Sequence, residues 1–176
     1  MLKWKNPAPV AGFFLSAVTW TAAAEPIGHR FDLTCLVEGQ PAQVIEDNTL
    51  TTPALAQYRN GVRTIVVSPR LTEGLPPVVQ TFLVAHECGH LIASPTLSAA
   101  YHERINPDRE RVADRIGIRL LRDQLKVSLD QARIVAAAFR DTKGSLPIYL
   151  PGPERERWIL KCYETTSADC STPEKK

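Results

Sequence analysis

Residues 86 to 90 read His-Glu-Cys-Gly-His. On a helix, residues four apart lie on one face, so His86 and His90 can turn two imidazole nitrogens towards one ion. Zinc–nitrogen bonds of about 2.0–2.1 Å suit that spacing. Glu87 stands one position past the first histidine and three before the second. Its carboxylate can reach a water polarised by the metal without binding the metal, which is the position of a general base. Cys88 falls on the opposite, inward side and is not expected to supply a thiolate ligand. Gly89 leaves room for another element or a substrate to approach. The surrounding helix is apolar, and buried polar groups need partners; a shared metal satisfies both histidines.

A catalytic zinc site takes a third protein ligand and keeps a fourth position open. The pattern His-Glu-x-x-His-x-x-Gly-x-x-His is absent, because Ala93 and Thr96 occupy the glycine and third-histidine places. The remaining candidates are His102, Glu103, Asp108 and Glu110. His102 and Glu103 lie in or near the loop before Pro107 and are within reach. Asp108 falls on a different helix face from Glu110. Glu110 opens "ERVAD", and Asp114 lies one turn beyond it on the same face. That aspartate can hold the outer N–H of a ligand histidine and so fix its tautomer and orientation. Gly117, a further turn along, allows close packing against the first helix. The expected set is therefore His86, His90 and Glu110 as ligands, Glu87 as base and Asp114 behind the ligands.

The elements that must carry these residues follow from the pattern. "RFDLTCLVEG", "AQVIED" and above all "VRTIVVSP" are extended, whereas "TTPALAQYRNG" is ambiguous and fits a short helix closing at Asn60-Gly61. A buried helix is predicted over 77–93 because "VVQTFLVAHECGHLIA" is too long for a strand and is stopped by Pro95. After a loop over 94–105, Asn106 and Pro107 start a helix reaching about 126, with Val112, Ile116, Leu120 and Leu121 turned inward. Ser128 with Gln131 forms a capping box for "LDQARIVAAAFR". A last helix runs from Pro153 to about Cys162, where the "ERER" run reads as a solvated face. Sheet first and helices after is an α+β order: an N-terminal antiparallel or mixed sheet, the active-site helix, then three further helices.

Beyond these elements, the chain's 176 residues are 44% hydrophobic and 23% charged, enough for one domain with a modest core. Residues 1–24 combine Lys3 and Lys5, an apolar run and Ala22-x-Ala24, the pattern of a signal peptide. That run is short of the ~20 residues that span a bilayer, so no transmembrane segment is expected in the mature chain. Of 21 basic residues two leave with the leader, which matches the 19 acidic ones and gives no support to nucleic-acid binding. The domain is expected over 25–164, followed by a polar tail over 165–176. Cys35, Cys88, Cys162 and Cys170 all lie in the exported part, where disulfides are permitted. Four cysteines allow three pairings. Cys162 and Cys170 are the nearest pair, and Cys35 and Cys88 either bridge or stay reduced.

"HECGH" followed by "ERVAD" resembles the gluzincin zinc metallopeptidases, whose third ligand is a glutamate on a second helix. The spacing is similar to that of the thermolysin type, and the likeness covers about residues 77–121. It implies a zincin-like domain with one Zn2+ per chain, His86, His90 and Glu110 as ligands, Glu87 as base and Asp114 behind the ligands. The chain is too short for a thermolysin-type second lobe and has no histidine after position 102. Tyr149, in "IYLPGPERERW", is the expected oxyanion donor in place of the downstream histidine of related enzymes. The expectation is a small exported, periplasmic or secreted, zinc peptidase acting on a peptide or protein substrate, with "VRTIVVSP" as an edge strand holding that substrate extended. Its rival is a zinc-containing binding or adaptor protein without turnover. A cytoplasmic sensor-type protease conflicts with the leader.

Overall fold

The computed structural model describes residues 32–94, 107–142, 150–165 and 170. The expected leader, His102, Glu103, Tyr149 and most of the polar tail lie outside the described residues.

The first strands are short. β1 (Leu36–Val37) and β2 (Gln40–Pro41) pair antiparallel around Glu38 and Gly39, both at positive φ. A second sheet holds β3 (Gln43–Glu46), β4 (Ala54–Arg59) and β5 (Val62–Val67) in the order β3-β5-β4. β3 runs parallel to β5, and β4 antiparallel to it. Two expectations are corrected here. "TTPALAQYRNG" contains a strand, not a short helix: alanine favours helices, but Asn60 and Gly61 take φ of 51° and 79°. That is the left-handed pair a tight hairpin demands, and it folds β4 back onto β5. The edge strands are therefore β3 and β4, and β4 is the one that Glu87 meets. "VRTIVVSP" is central, because Thr64, Ile65, Val66 and Val67 are all buried and are flanked on both sides.

Pro69 opens an unexpected short helix, α1 (Pro69–Thr72). The histidine-bearing helix α2 is Pro77–Ala93, as its apolar run and flanking prolines predict. α3 covers Pro107–Gln124 and stops two residues short of the expected end at Lys126, whose φ of 54° cannot continue a helix. Its inward face is Ala113, Asp114, Gly117, Ile118 and Leu121, with Val112, Ile116 and Leu120 only half-buried. α4 (Leu129–Ala137) carries the capping box, with Ser128 Oγ accepting from Gln131 N–H and Gln131 Oε1 accepting from Ser128 N–H. α5 is Gly152–Glu164, slightly longer at both ends than predicted. Sheet first and helices after makes this an α+β fold. No helix of the described residues is long and apolar enough to cross a membrane.

What fixes the site is the contact of α2 with α3. A Cβ added at Gly89 would lie 2.6 Å from the Ala113 carbonyl oxygen, and one at Gly117 would lie 2.9 Å from His86 N. Each helix thus offers a glycine where the other's backbone passes. Around this crossing sits one core that includes Val79, Phe82, Val84, Leu91, Ile118, Leu121, Val135 and Ile159. Two disulfides complete it. Cys35 and Cys88 are bridged with Cα atoms 5.7 Å apart, tying α2 to the chain ahead of β1. Cys162 and Cys170 are bridged with Cα atoms 5.2 Å apart, tying the chain after α5 to that helix. Two bridges suit an oxidising compartment.

The crossing makes a sign test. In an isolated helix, Gly→Ala gains about 1 kcal/mol. At position 89 the new methyl group meets backbone that cannot swing aside, and such overpacking costs about 1–3 kcal/mol. Gly89→Ala is expected to destabilise the protein in urea titration; a raised midpoint would show that the helices have room to spare.

Candidate metal centre

α2 lifts His86 and His90 onto one face because they are one turn apart, and α3 crosses that face with Glu110 and Asp114. The two Nε2 atoms are 3.1 Å apart. Glu110 Oε2 lies 3.2 Å from His86 Nε2, and Oε1 lies 3.3 Å from His90 Nε2. A tetrahedral ion with bonds of about 2.0–2.1 Å has ligand atoms about 3.3 Å from one another, so these separations are those of a ligand set. One donor atom from each of His86, His90 and Glu110 falls within 4.8 Å of the others. All three residues are buried, and Glu110 Oε2 makes no hydrogen bond in its buried position. A buried carboxylate oxygen left without a donor is costly, and an ion between the three side chains removes that cost. This group can hold a metal ion.

Behind it, His86 Nδ1 lies 2.8 Å from Asp114 Oδ1. An ionised carboxylate only accepts, so Nδ1 carries the hydrogen and Nε2 is the atom turned towards Glu110. Asp114 also accepts from Arg155, Nε at 2.9 Å to Oδ2 and Nη2 at 2.7 Å to Oδ1. Burial raises the Asp114 pKa, but the Arg155 charge and the His86 hydrogen bond hold it below its ordinary value. Glu110 is held low in the same way: burial works against its charge, and His86 and His90 outweigh it. For His86, burial disfavours the proton, yet the Asp114 and Glu110 carboxylates and the Glu87 charge push its pKa up to about 10.

Glu87 stands beside the group, half-buried, and its Oε2 accepts from Ala56 N–H at 2.7 Å. The expected base is therefore anchored to the edge strand. Within a strand the N–H and C=O of one residue share a side, and the residue two along repeats it. Ala56 C=O and Tyr58 N–H accordingly face the same open edge as Glu87.

The structure brings together His86, Glu87, His90, Glu110 and Asp114. Asp108 is not part of the group, being exposed and paired with Arg111. Tyr149, His102 and Glu103 fall outside the described residues. Cys88 points into the core, where it is bridged to Cys35. Sequence reasoning missed two participants. Ala56 acts through its backbone, which leaves no side-chain signal. Arg155 was hidden in a charged run read as solvated, and that reading is corrected: Arg155 is buried. Its signal was present, since Trp158, Ile159 and Cys162 follow it at three, four and seven positions, the spacing of one apolar helix face.

No protein-family model, no curated protein and no solved structure matches this chain. The site therefore stands on its own geometry.

A metal must displace the proton that His86 holds. In the metal-free chain the raised pKa stabilises the fold fully below the ordinary value of 6.5, and that contribution is lost as pH rises through about 10. Metal affinity runs the other way, since ligands must be deprotonated. Zinc binding at pH 7 is expected to release about one proton from His86, and affinity to fall about tenfold for each pH unit below that. Calorimetry in buffers of different ionisation enthalpy measures the release; a heat independent of buffer would mean that His86 is already neutral.

Proposed function

We propose that this chain is a small exported zinc peptidase of the gluzincin type. The observation that carries the reading is the convergence of His86, His90 and Glu110 on one point, with Glu87 next to the first ligand and tied to the open edge of a sheet. Two nitrogens and one carboxylate oxygen are a zinc donor set, and three protein ligands leave the fourth position for chemistry. Zinc held there supplies Lewis acidity for a peptide carbonyl and its attacking water.

The chain's own residues do the rest. Asp114 fixes the His86 tautomer so that Nε2 offers its lone pair. Glu87, with one oxygen held by Ala56 N–H, uses the other to take a proton from the attacking water and pass it to the leaving amine. A substrate peptide lies extended along β4, pairing with Ala56 C=O and Tyr58 N–H. The leader and the two disulfides support export. The gluzincin pattern supports peptide-bond hydrolysis, with Tyr149 as the proposed oxyanion donor.

A zinc-bearing binding protein is the second reading. It draws on His86 and His90 being the only histidines among the described residues, so none of those is left to stabilise an oxyanion.

The test is Glu87→Gln in the zinc-loaded protein, assayed against a proteome-derived peptide library for new termini. The variant is expected to keep its zinc and to lose cleavage by about 10²–10⁴-fold, the usual contribution of a positioned acid–base group. Cleavage at the wild-type rate would remove Glu87 from the mechanism. A wild type that retains peptides without producing new termini would favour the binding protein.

A further inference from the structure

Asp114 is shared. One of its oxygens, Oδ1, receives both His86 Nδ1–H at 2.8 Å and Arg155 Nη2–H at 2.7 Å, while Oδ2 receives Arg155 Nε–H at 2.9 Å. The guanidinium is planar and its donors form a rigid fork, so a two-point contact sets the plane of the carboxylate as well as its position. The direction in which Oδ1 meets the histidine is therefore determined by Arg155. Asp114 and Arg155 are 1% and 9% exposed, and in that setting water is a poor substitute for either partner.

Arg155 is itself held in place. Its guanidinium carbon lies 4.1 Å from the centre of the Phe139 ring, two residues past α4, a cation–π contact. Gly152 begins α5 hard against the same place: a Cβ there would collide with the Phe139 and Arg140 carbonyls. Three residues after Arg155, Trp158 Nε1 donates to the Arg111 carbonyl at 3.1 Å, and Arg111 pairs with Glu154 at 3.1 Å. These contacts fix the turn of α5 that carries Arg155 against the first turns of α3.

We propose that Arg155 is the positioning residue of the metal centre, acting through Asp114 to aim His86 Nε2 at the ion. A guanidinium has no lone pair to offer a cation, so Arg155 acts through Asp114. Its contribution is to hold the Asp114 carboxylate in one plane, so that Oδ1 stays aimed at His86 Nδ1–H and the ring keeps one orientation. This assignment rests on the reading of His86, His90 and Glu110 as metal ligands and is independent of whether the protein cleaves peptides.

A double-mutant cycle on zinc affinity tests it, using chelator competition on the full chain for wild type, Arg155→Lys, Asp114→Asn and the pair. Lysine keeps the charge and loses the fork. Arg155→Lys is expected to weaken zinc about tenfold, at the low end of the 10- to 100-fold range for groups that orient ligands. In the Asp114→Asn background the same change is expected to have almost no further effect, because the two residues act in series. Full additivity would make Arg155 merely structural and overturn the assignment, as would a folded Arg155→Lys protein that binds zinc like wild type. A wild type that takes up no zinc overturns the metal reading itself, and this assignment with it. Should Arg155→Lys not fold, nitrogen-15 spectra of the zinc-loaded wild type carry the test: His86 protonated at Nδ1 and a slowly exchanging Arg155 Nε–H are expected. Metal bound through Nδ1, or a rapidly exchanging Arg155 Nε–H, overturns the proposal.

Discussion

The crossing of α2 over α3 is the constraint on which the rest depends. Gly89 faces Ala113 and Gly117 faces His86, so the index falls along one helix as it rises along the other, and the two run antiparallel. Helix axes usually sit 8–10 Å apart according to the side chains at the contact. With glycine at both points of closest approach, the backbones meet directly. Only such an approach lets side chains as short as Asp114 and Glu110 reach histidines on the neighbouring helix. A larger residue at either glycine would separate the helices and move ligands and supports together.

The same closeness brings a burden of charge. His86, Glu110, Asp114 and Arg155 are buried beside one another. Desolvated ions are stable only when their partners are well placed, and removing one strands the others. Asp114 meets this by accepting three hydrogen bonds from His86 and Arg155. Glu110 does not, since Oε2 has no hydrogen-bond donor and relies on the imidazoles beside it. Without metal, the raised His86 pKa supplies the missing positive charge. Proton and divalent cation are thus alternative occupants of one electrostatic hole.

How much of this was legible depended on where the information lay. Spacing within a single helix is local, so His86, Glu87 and His90 could be read together, and proline and capping signals located α2, α3 and α4. Glu110 and Asp114 could be paired because they sit one turn apart and are followed by Gly117. Information that lives between elements was harder to see. The alanines of β4 favour a helix taken alone, and only the left-handed Asn60-Gly61 pair and the pairing with β5 make it a strand. Burial of β5 on both sides then moved the open edge from "VRTIVVSP" to "ALAQYR". Arg155 stands in a run of charges, and the apolar residues that share its face all come after it.

The site is consequently held from three independent directions. The helix crossing delivers the ligand atoms, α5 orients one of them from behind, and β4 holds the proposed base through a backbone N–H. The last contact has a consequence for the order of assembly. Glu87 and His86 are adjacent in sequence, but Glu87 is fixed by the sheet and His86 by α3, so the base is in place only once the sheet has packed on α2. The Cys35–Cys88 bridge ties the residue immediately after Glu87 to the chain leading into β1. The proposed ligands and the proposed base thus depend on different parts of the fold, His86 on α3 and Glu87 on β4.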